Sequence, residues 1–270
     1  MRFWIAVLLM SIFSSISMAQ NDWVKHIVAT GFDHAHGVFA ADVDGDGDID
    51  ALGAAKTGSI SWWENTDGNG LAWQAHPVVD GFAGAENVHA ADVDGDGDMD
   101  ILGAARDDDD ITWWENSAGD GSIWIEHIID GGFTGAFTVR GMDVDLDGDI
   151  DVLGAADIAN DITWWENTQG NGTTWIEHTV DGSFDGANSV YAADVDGDGD
   201  MDILGAAHDA DQITWWENLN GSGTSWSEHL VGANFDWAFD VYAQDFDADG
   251  DIDILGSARN SDEVAWWENV

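Results

Sequence analysis

Five times the chain writes an aspartate at every second position across nine residues, always with glycine at the sixth. The runs are DVDGDGDID (Asp42, Asp44, Asp46, Asp48, Asp50), DVDGDGDMD (Asp92, Asp94, Asp96, Asp98, Asp100) and DVDLDGDID (Asp143, Asp145, Asp147, Asp149, Asp151). DVDGDGDMD (Asp194, Asp196, Asp198, Asp200, Asp202) and DFDADGDID (Asp245, Asp247, Asp249, Asp251, Asp253) complete the set. Carboxylates crowded in this way repel one another and lose water in any ordered turn, a cost that a cation among them removes. All-oxygen donors, with no Cys in the chain and no His in the runs, select a hard ion. Calcium outside the cell is the first candidate, with about five ions per chain.

The runs belong to a longer repeat. WWEN begins at Trp62, Trp113, Trp164, Trp215 and Trp266, 51 residues apart each time. W-x-x-H begins at Trp23, Trp73, Trp124, Trp175 and Trp226. In the second copy four short segments rich in Val, Ile, Thr and Trp read as strands: Val88–Asp92, Met99–Ala104, Ile111–Asn116 and Trp124–Ile129. Gly, Asn, Asp and Ser clusters separate them, and no stretch keeps a helical period. Four strands per repeat of about 50 residues predict an all-β propeller of five four-stranded blades. The fifth copy stops after WWEN, while Trp23–Val28 is a spare W-x-x-H segment. That segment is expected to complete blade five and close the ring, an open array being the alternative.

Acidity here does not mean disorder, because 44% of the chain is hydrophobic and it holds 17 Trp. The net charge of -48 comes from 54 acidic against 6 basic residues, and the five runs supply about half of the acids. A surface so negative excludes nucleic acid and anionic lipid as partners. Residues 1–19 read as a secretory leader: Arg2, then the apolar Phe3–Ile12, then Ser17 and Ala19 in a small-x-small exit. The apolar stretch is too short to span a bilayer, so no membrane insertion is expected. Residues 20–270 form one exported domain on this reading.

The acidic run followed by LGAA (Leu52–Ala55, Leu102–Ala105, Leu153–Ala156, Leu204–Ala207; LGSA at Leu255–Ala258) resembles the FG-GAP, or VCBS-type, repeat. The resemblance covers all five copies, about residues 23–270, and implies a calcium-binding propeller of the kind built by integrin α-subunits and secreted bacterial proteins. It implies side-chain ligands at loop positions one, three, five and nine, and a backbone carbonyl at position seven. In the first copy these are Asp42, Asp44, Asp46 and Asp50, with Asp48 acting through its carbonyl. Integrin propellers have seven blades, against five repeats here. An EF-hand is excluded, since position twelve is glycine (Gly53 in the first copy) where a bidentate Glu is required.

Neighbouring tryptophans of WWEN point to opposite faces of a strand and are expected to pack against the blades on either side. The histidines His26, His76, His127, His178 and His229 recur at one position and read as hydrogen-bonded parts of each blade. Function is sought where copies differ. Before each innermost strand stand His36, Glu86, Phe137, Asn188 and Phe239, and two places earlier His34, Gly84, Gly135, Gly186 and Trp237. His34, His36, Trp237 and Phe239 are the expected ligand pocket, offering stacking and hydrogen bonds. A second variable position is Lys56, Arg106, Asp157, His208 and Arg259, read either as an anion contact or as local charge balance. With no unique catalytic set, the expected function is an extracellular binding or adhesion module for a glycan or protein. The alternative is a polysaccharide lyase or hydrolase on a propeller scaffold.

Overall fold

The computed structural model describes residues 23–270; the leader expected over residues 1–19 lies outside them. Among the described residues there are nineteen strands and no helix, so no helix is long and apolar enough to cross a membrane. Blade one is β1 (Ala35–Ala41), β2 (Asp50–Ala55), β3 (Ser59–Asn65) and β4 (Trp73–Asp80). Blade two is β5 (Ala85–Ala91), β6 (Asp100–Ala105), β7 (Asp110–Asn116) and β8 (Trp124–Asp130). Blade three is β9 (Ala136–Met142), β10 (Asp151–Ala156), β11 (Asp161–Asn167) and β12 (Trp175–Asp181). Blade four is β13 (Ala187–Ala193), β14 (Asp202–Ala207), β15 (Gln212–Asn218) and β16 (Trp226–Ala233). Blade five has β17 (Ala238–Gln244), β18 (Asp253–Ala258) and β19 (Glu263–Trp267). Each is an antiparallel meander, so the all-β, five-blade reading holds.

The apolar core lies between blades. The first Trp of one WWEN and the second Trp of the next share a cluster: Trp62 with Trp114, Trp113 with Trp165, Trp164 with Trp216, and Trp215 with Trp267. This is the two-sided packing that alternation along a strand dictates. The lead-in phenylalanine of each copy meets the second Trp edge-on, as Phe82 does Trp114 at 5.0 Å. The glycine at loop position twelve permits this contact. A Cβ on Gly103 would stand 2.8 Å from both Ile60 and Trp114, closer than real contacts come.

One expectation fails. Trp23–Val28 forms no strand and pairs with nothing, Trp23 is 99% exposed, and the fifth sheet has three strands. Four W-x-x-H strands reach their WWEN partner through a short turn in the same blade. Trp23 would have to find β19 from the far end of the chain, an encounter with a much larger loop-closure cost. The faces that such closure would cover are bare: Val38 is 75% and Val264 76% exposed, whereas their counterparts Val88 and Ile111 are at 2% and 0%.

Candidate functional site

Each innermost strand ends in an acidic loop, and the second strand returns to the starting end. A seven-residue strand is about 20 Å long, so the acidic loops and the lead-in loops occupy opposite ends of the blades.

At the acidic end the structure brings together Asp42, Asp44 and Asp50, and likewise Asp143, Asp145 and Asp151; Asp194, Asp196 and Asp202; and Asp245, Asp247 and Asp253. In the second loop the trio is Asp92, Asp94 and Asp96. Within each trio, ligand atoms lie within 4.8 Å of one another. Position one is held by the glycine at position six, whose N–H donates to it, as Gly47 does to Asp42 at 2.9 Å. Gly47 sits at φ 95°, which glycine adopts without strain. The other oxygen of position one, Oδ1 of Asp42, Asp92, Asp143 and Asp194, is buried without a hydrogen-bond partner. A buried carboxylate oxygen without a donor is costly, and a cation satisfies it. The donor set fits a hard ion.

Position nine is the most buried. Asp50 Oδ2 accepts from Val43 N at 2.9 Å and its Oδ1 from Asn65 N at 2.8 Å, an arrangement repeated in all five loops. Burial pushes the Asp100 and Asp151 carboxyls up to about 7 and that of Asp202 to about 6, against these stabilising backbone donors. The side chains at position seven (Asp48, Asp98, Asp149 and Asp200) turn away and lie against the glycines Gly68, Gly119, Gly170 and Gly221 of the following turns.

The asparagine of WWEN is the clamp that composition alone did not single out. Asn116 Nδ2 donates to Met99 O of its own loop and to Val43 O of the preceding blade's loop at 3.0 Å. Asn167 and Asn269 do the same to Val93 and Val195, at 2.8 Å each. The histidines have a comparable structural duty. His76, His127, His178 and His229 stack on the first Trp at 4.4–4.6 Å, and their Nε2 atoms donate to the WWEN glutamates at 2.8–3.0 Å. His26 joins no blade, since Trp23–Val28 is unpaired.

At the opposite end the two variable positions are locked side by side. In each copy the backbone N–H of the second donates to the carbonyl of the first: Lys56 to His34 at 3.1 Å, Arg106 to Gly84 at 2.9 Å, and Arg259 to Trp237 at 2.9 Å. Asp157 and His208 bond Gly135 and Gly186 at 3.0 Å. Positions that vary separately in sequence thus converge on one cavity of about 330 Å³ at the channel mouth. His36, Trp237 and Phe239 line it; His34 does not, and its exposed imidazole lies 3.8 Å from Asp33. Glu86, Phe137 and Asn188 line it too, as do all five residues of the second variable position.

Interblade ion pairs order this mouth. Lys56 Nζ lies 2.8 Å and His36 Nδ1 2.9 Å from Glu86 Oε2, while Arg106 Nε donates to Asp157 at 2.8 Å. Hydrogen bonding to Glu86 raises the His36 pKa. Burial pushes Glu86 up, but His36 and Lys56 outweigh it, and its carboxyl titrates lower than usual. Deeper in the channel, burial drives His89 down to about 4, so this imidazole is neutral beside Arg140.

All-β blades with acidic turns at one end define a class, the repeat propellers. Residues 42–103 and 143–205 match the FG-GAP-like repeat family, so the chain carries FG-GAP-like repeats over these two spans. Among solved structures it is similar to an Agrocybe aegerita lectin, described in specific recognition of non-reducing terminal N-acetylglucosamine. The TM-score is 0.57 at 24% identity, covering 83% of this chain and 60% of the lectin, so the likeness concerns the fold alone. No curated protein matches the sequence.

Proposed function

We propose that this is an exported, calcium-stabilised propeller serving as an extracellular binding module, with the channel mouth as its ligand site. The observation that carries the reading is the convergence of the variable positions on one cavity, while everything repeated serves the blades. Loop positions one, three, five and nine would hold each ion, with a backbone carbonyl at position seven. A bound ion supplies the positive charge that these carboxylates lack and couples metal binding to folding. An extracellular glycan is the ligand class best supported. Aromatic and hydrogen-bonding groups share the cavity, and the lectin of similar fold recognises a sugar. A protein ligand is the variant of this reading.

The catalytic alternative, a lyase or hydrolase, has one observation in its favour: His36 and Glu86 meet in the cavity. Their mutual engagement, with Lys56 on the same oxygen, keeps Glu86 ionised and occupied rather than free to transfer a proton. Binding fits better. A glycan array run with and without calcium tests the reading. A specific signal is expected with calcium, lost on Trp237→Ala at unchanged calcium content; binding that survives Trp237→Ala would remove the channel mouth from the account.

A further inference from the structure

The chain has only six Lys and Arg residues, and four of them, Lys56, Arg106, Arg140 and Arg259, line the channel of a protein carrying -48. Three of the four are engaged. Lys56 pairs with Glu86, Arg106 with Asp157, and Arg140 donates to Val190 O at 2.8 Å. Arg259 differs. Its guanidinium lies 4.7 Å over the Trp237 ring, against which His208 also stacks at 5.7 Å, and among the described residues no carboxylate is paired with it. A guanidinium held on an aromatic ring keeps its N–H fork free for a planar anion.

A second group in the same cavity awaits a different partner. Asn188 is 3% exposed; its Nδ2 donates to Phe239 O, and its Oδ1 is buried with nothing donating to it. That oxygen requires a hydrogen-bond donor such as a hydroxyl. Phe137 and Phe239, in edge contact at 6.2 Å, add apolar surface beside it.

Anion, hydroxyl and apolar face together describe one chemistry. We propose that the channel mouth selects an acidic saccharide, one bearing a carboxylate or sulfate beside free hydroxyls; this rests on the glycan-binding reading above. Arg259 takes the anionic group, Asn188 Oδ1 accepts a hydroxyl, and Phe137 and Phe239 face the sugar's C–H surface. The acidic loops do not cancel this attraction, being about 20 Å away against a screening length of about 8 Å in physiological salt. Asp107 to Asp109 in the turn between β6 and β7, with Asp157, Asp209, Asp211 and Asp262 in the equivalent turns, stand at the mouth's own end and favour a single acidic residue over a polyanion.

The test is calorimetric titration of the calcium-loaded chain with methyl glycosides of glucose, glucuronate, galacturonate and sulfated glucose, and with a glutamate-rich peptide. An acidic glycoside is expected to bind at least about tenfold more tightly than the neutral one, weakening as salt rises. Carboxylate and sulfate arms identify which anion is preferred. Arg259→Gln is expected to cost about ten- to a hundredfold for the acidic sugar and markedly less for the neutral one, so that the preference between them is lost, with melting and calcium content unchanged. Equal affinity for acidic and neutral sugars would overturn the selectivity while leaving the glycan reading intact. Binding of the peptide but no sugar, or of neither, would overturn both.

Discussion

The two ends of the blades are built on opposite rules. At one end five loops repeat nearly letter for letter: each gathers three carboxylates (positions one, three and nine in four loops, one, three and five in the second), and each has the same glycine at position six and the same asparagine N–H on position nine. At the other end the aligned positions read His36, Glu86, Phe137, Asn188 and Phe239, no more than two alike. Repetition is what a structural requirement imposes when every blade must solve the same packing and charge problem. Variation at positions locked together by backbone hydrogen bonds is what an asymmetric ligand needs from a symmetric scaffold.

Removing calcium strikes the repeated end and is expected to have the largest effect. A site held at a hundred times its dissociation constant adds about 2.7 kcal/mol, so five such sites are comparable to the whole stability of an ordinary domain. Chelation is expected to lower the melting temperature by tens of degrees, on the order of 20 °C or more. A melt unchanged by chelator would break the comparison at its strong end. Next in size is a contrast between two tryptophans. Trp113→Ala, in the core between blades two and three, is expected to cost about 3–5 kcal/mol in denaturant unfolding. Trp237→Ala is expected to stay within about 1 kcal/mol and to act on binding instead. Equal costs would mean that Trp237 is scaffold.

Much of this was legible in the sequence. The 51-residue period gave the blades, the aspartate spacing gave the five clusters of carboxylates, and alternation along WWEN gave the two-sided tryptophan packing. The variable positions pointed to the mouth, because in a repeat protein departure from the pattern is itself a signal. Three things were not legible. Closure by Trp23–Val28 depends on a non-local pairing for which sequence complementarity is necessary but not sufficient. His34 was grouped with the pocket by alignment, yet its side chain runs outward beside Asp33. The bond of Asn116, Asn167 and Asn269 to a neighbouring blade's loop exists only in three dimensions.

The asparagine clamp gives the finest probe. Asn116→Ala removes the Nδ2 bonds to Val43 O of the first loop and Met99 O of the second, and is expected to cost about 1–3 kcal/mol. Calcium affinity should weaken at two sites rather than one; loss confined to one site would show that the blades do not share their loops.

The most direct measurement is the metal content of the purified, folded chain, taken by elemental analysis after exhaustive exchange into metal-free buffer plus a defined calcium concentration. Five calcium ions per chain are expected, falling to four in Asp44→Ala. A chain that is fully folded and carries no divalent metal would contradict the account.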